Sequence, residues 1–176
     1  IMEHFLKPPI IIGNLPYNIS TKILTNLLRS SASEWSQLIL MFQMEVAERI
    51  VSKPNSKNFG RLSVLAQFCS IPSIKMKISN KVFFPIPKVK SAVVVFNKRQ
   101  NHKRKINSDL FFLIVKNCFS QRRKKIINSL KNLYPTISSI LTECDIDPNT
   151  RAENLSVDDY HMLVELIEKR HGEHRN

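Results

Sequence analysis

Asn14, Leu15, Pro16 and Tyr17 follow directly on the run Ile10-Ile11-Ile12-Gly13 and are unusual residues to find at the end of an apolar segment. Such a run, bounded by turn residues, reads as a buried strand from Pro9 to Gly13. In an open α/β sheet, ligands bind beyond the carboxyl ends of the strands, where Asn14 falls. An Asn side-chain carbonyl and a neighbouring backbone carbonyl can together accept both hydrogens of an exocyclic amino group. Pro16 stiffens the turn and removes a backbone donor, and Tyr17 offers a ring for a flat base to stack on. Together the four residues are able to hold an adenine by its amino nitrogen. They equally describe a strand-to-helix turn in which Asn14 caps and Tyr17 packs, and the short motif alone does not choose between the two.

Few other residues compete for a chemical role. His4, His102, His161, His171 and His174 are scattered without metal-ligand spacing. Cys69, Cys118 and Cys144 are odd in number and far apart, which excludes a disulfide framework and a zinc spacing and reads as reduced, mostly buried thiols. No metal is expected. Glu45 and Glu48, three residues apart near a helix start, read as partners of the helix dipole and of Arg49 or Lys53 rather than as an acid/base pair.

The elements that must position the Asn14 turn alternate in type. After it, Ile19, Ile23, Leu24, Leu27 and Leu28 recur at helical spacing behind possible caps Ser20 and Thr21. Residues 35–43 read as a second buried strand, 45–51 as a short helix, 53–60 as a loop and 61–70 as a helix. Segments 71–79 and 91–98 read as an antiparallel pair joined by a Pro-rich connection. This β-α-β-α order followed by two strands is the grammar of an α/β sheet.

Charge divides the chain. The formal net charge is +13 over 176 residues, 43% of them hydrophobic, with a pI near 9.9. Between Lys98 and Lys131 eleven Lys or Arg face the single acid Asp109, a local balance of +10, which leaves +3 for the rest. Such a field points to a polyanionic partner, nucleic acid or an anionic lipid surface. No apolar run approaches the roughly 18 residues of a spanning helix and no signal peptide opens the chain, so no membrane anchor and a cytoplasmic location are expected.

The boundary falls near residues 98–108, giving 1–98 as one domain, 99–107 as a basic linker and 108–176 as a helical domain. Within the last, helices are expected at about 108–119, at 121–133, after Pro135 and from Ser156. On the second, Ile126, Ile127, Leu130 and Leu133 form a stripe with Lys124, Asn128 and Lys131 opposite. Candidate nucleic-acid contacts are therefore Lys103, Arg104, Lys105, Arg122, Arg123, Lys124 and Lys131. The first three of these equally describe a solvated linker.

Six ordered blocks, "NLPYNIST", "MFQMEVAERI", "KPNSKNFGRLSVLAQF", "VFFPIPKVKSAVVVF", "FSQRRKKIINSL" and "IDPNTRAENLS", resemble the bacterial small-subunit rRNA adenine dimethyltransferases of the KsgA type. The resemblance implies a class I, Rossmann-like methyltransferase that uses S-adenosylmethionine to dimethylate two adjacent adenosines at N6 near the 3′ end of 16S rRNA. It places Asn14, Leu15, Pro16 and Tyr17 in the catalytic motif, Phe83 as a second base-stacking aromatic, and Asn14 also against the cofactor. It further implies small-subunit rRNA, or the immature 30S particle, as partner of a monomer. The family's Gly-rich loop and its two acidic cofactor contacts have no counterpart here, and the sequence starts just before the family's fourth strand. The expected fold is thus the C-terminal half of that sheet followed by a small all-helical domain, lacking most of the cofactor pocket and inactive alone. The alternatives are a non-enzymatic rRNA-binding remnant and a large-subunit rRNA methyltransferase of the erythromycin-resistance type.

Overall fold

A computed structural model describes residues 8–29, 35–99, 106–121 and 123–173. The chain forms two units: Ile1–Ser52 with Leu65–Gln100, and Lys53–Val64 with Asn101–Asn176.

The first unit is built on a four-stranded sheet. Its strands are β1 (Ile10–Asn14), β2 (Gln37–Gln43), β3 (Ser70–Ile78) and β4 (Ser91–Lys98), in the order β1-β2-β4-β3. β1 and β2 are parallel and β4 is antiparallel to both β2 and β3. Helices α1 (Ser20–Arg29), α2 (Met44–Val51) and α3 (Arg61–Cys69) connect them. Along the apolar run of β2 burial alternates, with Leu38, Leu40 and Phe42 buried, and Phe42 meets Phe96 of β4 edge to face with centroids 6.1 Å apart. Such a ring contributes about 2 kcal/mol by removal from water alone. Pro72 sits in β3, an outer strand of the sheet, where a missing backbone donor is tolerated.

β1 departs from the expected buried strand. It pairs with β2 alone among the described residues, and Ile10 and Ile12 are 57% and 75% exposed. Apolar character marks a strand but not which of its faces and edges are covered. At the next turn Ser20 is the first residue of α1, and its hydroxyl donates to the Tyr17 carbonyl instead of accepting from a helix N–H as a cap would.

The second unit contains α4 (Ser108–Cys118), α5 (Ile126–Leu130), α6 (Ile137–Glu143) and α7 (Val157–Glu173). Asn107 caps α4 by accepting from the Leu110 N–H, and Ser156 and Asp159 cap α7 reciprocally. Phe111, Ile114, Leu130, Leu141, Leu163, Val164 and Ile167 are fully or almost fully buried. The Tyr160 hydroxyl, also buried, donates to the Ala152 carbonyl at 2.7 Å. Segment 53–64, expected to belong with the first domain, groups with this unit. Asn55 adopts φ 66°, its N–H donates to the Glu153 carbonyl, and its side-chain oxygen accepts from Asn154.

The helix expected over 121–133 is confined to Ile126–Leu130. Lys125 is extended and bridges Arg151, and the N–H groups of Ile126 and Ile127 donate to the carbonyls of Thr150 and Pro148. These tertiary bonds replace the helical turn that four successive cations would otherwise crowd. Leu133, expected in the buried stripe, is 42% exposed.

Burial pushes the Cys69 and Cys118 thiols from an ordinary 9.0 up to about 12, Lys98 opposing the shift at Cys69. A raised acid pKa makes the folded state hold its proton where the unfolded state has lost it. Stability is therefore intact well below pH 9 and declines as pH rises toward 12, by about 1.4 kcal/mol per thiol at pH 10. Urea midpoints at pH 8 and pH 10 should show this decline, and Cys69→Ala with Cys118→Ala should flatten it.

Candidate active site

The register brings one edge of the sheet together. Asn14 lies opposite Met41, Gln43 opposite Ser91, and Ile78 opposite the same Ser91. The carboxyl ends of β1, β2 and β3 and the start of β4 thus share an edge, from which the turn after Asn14 and the connection 79–90 both emerge.

The turn is held from within. The Ile19 N–H donates to the Pro16 carbonyl at 3.1 Å and the Ser20 hydroxyl to the Tyr17 carbonyl at 3.1 Å. The Tyr17 hydroxyl meets Ser91 Oγ at 2.6 Å, across 74 residues of sequence, which fixes the ring at the edge. A Cβ added at Gly13 would stand 3.2 Å from Leu40 Cδ2 and 3.3 Å from Leu15 Cδ2, so glycine is what lets the Leu15 side chain lie against the strand. Asn14 and Pro16 are exposed; Leu15, Tyr17 and Phe83 are half-buried.

Among the described residues, the Asn14 side chain makes no hydrogen bond and the Leu15 carbonyl accepts none. The cap reading of Asn14 required its oxygen to accept from a helix N–H. Instead two adjacent acceptors stand open beside a fixed aromatic ring, an arrangement able to take both hydrogens of one amine. Phe83 emerges at the same edge on the 79–90 connection. Ser91, which anchors Tyr17, was invisible in the sequence because nothing in its pattern distinguishes a strand-opening serine with a distant partner.

A separate cavity of about 490 Å³ lies at the opposite edge, lined by Pro8, Ile10, Trp35, Ser36, Gln37, Asn97 and Lys98. Lys98 is the one ionisable residue in that lining, and its ammonium donates to the Trp35 carbonyl and covers the indole ring. No group of three or more His, Cys, Asp or Glu able to hold a metal occurs among the described residues.

Of the basic candidates, Arg123, Lys124 and Lys131 are exposed on the helical unit. Lys103, Arg104, Lys105 and Arg122 lie outside the described residues. Replacing Lys124 and Lys131 together with Gln should flatten the log–log salt dependence of RNA binding by roughly one to two units without unfolding the unit. Filter binding between low and moderate salt reads the slope, and an unchanged slope would show that these lysines do not meet phosphate.

The ribosomal RNA adenine dimethylase family model matches residues 3–169. The ribosomal RNA small subunit methyltransferase A of Dinoroseobacter shibae is 42% identical over 166 residues, 93% of this chain and 59% of that protein. The protein of the same name from Francisella tularensis subsp. novicida is 42% identical over 157 residues, 89% of this chain and 60% of that one. The chain therefore spans about three-fifths of the length of these curated relatives. Among solved structures, a dimethyladenosine transferase from Plasmodium falciparum superposes with a TM-score of 0.78 at 23% identity, over 94% of this chain and 69% of that one. The 23S rRNA methyltransferase ErmE superposes with a TM-score of 0.66 at 20% identity, over 94% and 68%. These likenesses establish the Rossmann-like methyltransferase fold.

Proposed function

Because the chain belongs to the ribosomal RNA adenine dimethylase family, we propose that it supplies the target-base side of an enzyme that dimethylates two adjacent adenosines at N6 near the 3′ end of small-subunit rRNA. The observation that carries this reading is the pair of open acceptors, Asn14 and Leu15, beside the anchored Tyr17 ring. The names of the relatives support the small subunit over the large one as source of the rRNA. The immature 30S particle is then the partner of a monomeric enzyme, and a cytoplasmic site of action goes with it. No described helix is long and apolar enough to cross a membrane.

The amine of adenine is a poor nucleophile while its lone pair is delocalised into the ring. Hydrogen bonds from that amine to the Asn14 side-chain oxygen and the Leu15 carbonyl favour a pyramidal nitrogen whose lone pair points out of the ring plane. Tyr17 and Phe83 stack on the base and offset part of the free energy of taking it out of a helix. Leu15 and Pro16 set the position of the accepting carbonyl, so orientation and fixed dipoles do the work of this half of the site.

The methyl donor proposed is S-adenosylmethionine, a sulfonium that carries its own leaving group. Asn14 is the residue here assigned to it. The Gly-rich loop that the family uses for the rest of the donor has no counterpart in this sequence. Of three glycines, Gly13 lies in β1, Gly60 precedes α3 and Gly172 lies in α7, none in a loop following a strand. The exposed cations Arg123, Lys124 and Lys131 of the helical unit favour a second reading, an rRNA-binding chain without activity of its own.

A chimera decides between them. Joined to the cofactor-loop portion of a relative and expressed in cells lacking their own small-subunit enzyme, the chain should produce a reverse-transcription stop near the 3′ end of 16S rRNA. Two methyl groups on N6 remove the N–H that Watson–Crick pairing uses, crowd that edge of the base and halt extension. A stop in 23S rRNA alone would support the large-subunit reading, and no stop would support the binding-only one.

A further inference from the structure

The connection between β3 and β4 carries the most exposed aromatic ring described. Phe84 is 101% exposed, and Val82, Ile86 and Val89 beside it are 69%, 63% and 41% exposed. An apolar surface of this kind in water calls for an occupant. Its surroundings specify the charge of that occupant. Lys75, Lys77, Lys81, Lys88 and Lys90 are all exposed on β3 and this connection. No Asp or Glu occurs anywhere between Glu48 and Asp109, a stretch of 60 residues with fourteen Lys or Arg.

The loop is also held in shape. Asn80 donates from Nδ2 to the Pro87 carbonyl at 3.0 Å, the Phe83 N–H donates to the Asn80 carbonyl, and the Lys81 N–H donates to Ser79 Oγ. Phe84 sits within this closed loop between the half-buried Phe83 and Pro85, with Pro87 further limiting the backbone. With the backbone around Phe84 already held, less conformational freedom is lost on binding than from an open loop. The loop leaves the same sheet edge as Asn14 and Tyr17.

We propose that Phe84 is a stacking platform for the nucleotide of single-stranded RNA that adjoins the target adenosine, with Lys81, Lys88 and Lys90 meeting the flanking phosphates. Rings interleaved with cations are the recurring means of holding unpaired strands, because every base presents a π-face and every linkage a charge. Two consecutive aromatics, Phe83 half-buried at the edge and Phe84 fully outside it, suit two consecutive bases. The proposal rests on the reading of the Asn14 edge as the target-base site. Its test reads binding rather than methyl transfer, so the two fail separately.

The 176-residue chain is titrated with an unstructured RNA of two adjacent adenosines flanked by uridines. Two versions of the probe carry 2-aminopurine, one on each side of the adenosine pair. Stacking should quench the fluorescence of one of them on binding. Phe84→Ala should abolish that quenching and weaken affinity about tenfold to a hundredfold, leaving the salt slope unchanged, while Phe84→Trp retains both. Lys81→Gln with Lys88→Gln should instead lower the slope by roughly 1.4 units. Since Phe84 is fully exposed, the thermal melt of Phe84→Ala should match the parent. The proposal is overturned if Phe84→Ala binds the probe as tightly as the parent, or weakens single-stranded and duplex RNA alike. It is also overturned if Phe84 proves necessary only for binding phosphatidylglycerol vesicles or for self-association. Phe84-dependent quenching in a chain whose chimera transfers no methyl group would uphold the platform and remove the enzymatic reading alone.

Discussion

Asn14→Ala, in a chimera that supplies the cofactor-loop portion, should lower methyl transfer by on the order of a hundredfold or more and leave RNA affinity within about twofold. The side-chain oxygen of Asn14 is an open acceptor at the carboxyl edge of β1, and nothing else described occupies it. Removing one preorganised polar contact to the reacting group has effects of that size in other enzymes. Fold stability should change little, because an exposed side chain without partners contributes little to it. On the function proposed, binding is set instead by exposed cations such as Lys124 and Lys131 and by the stacking rings. Single-turnover assays with labelled donor, beside filter binding on the same preparations, separate the two quantities. Wild-type turnover in the mutant would reduce Asn14 to a turn residue.

The second large effect concerns the donor. The 176-residue chain alone should give no measurable heat when titrated with S-adenosylmethionine, whereas the chimera should bind in the micromolar range, a difference of about a thousandfold or more. A charged nucleoside needs backbone donors from a tight loop and carboxylates for its ribose. This chain has no acid between Glu48 and Asp109 and no glycine in a loop that follows a strand. A micromolar dissociation constant for the chain alone would show that the present residues build a donor site unaided.

Local rules were enough for much of the architecture. The apolar run within 35–43 identified β2, the helix expected from Ser156 is α7, and the four-residue turn after β1 offered acceptors and a ring. Failures came where distant contacts decide. The apolar run of β1 could not reveal that Ile10 and Ile12 stay exposed, since exposure depends on what lies beside the strand. The stripe at 126–133 suggested a longer helix, but Lys125 is drawn into a bridge with Arg151 and the helix starts only after it. Asn55 and Asn154, 99 residues apart, join segment 53–64 to the helical unit through a contact that no local pattern announces. In the site itself, the types of Asn14 and Tyr17 were legible, while the hydrogen bond to Ser91 that fixes the ring was not.

Whether the Asn14 edge presents an rRNA adenine for methylation at N6 is read by incubating unmethylated small subunits with the chimera and donor and identifying the methylated species by mass spectrometry, in nucleoside digests for the atom and in ribonuclease fragments for the position. N6,N6-dimethyladenosine is expected, two per subunit at adjacent positions near the 3′ end, lost with Asn14→Ala. Methylation at a ring nitrogen instead, or an undiminished yield from Asn14→Ala, would contradict that assignment.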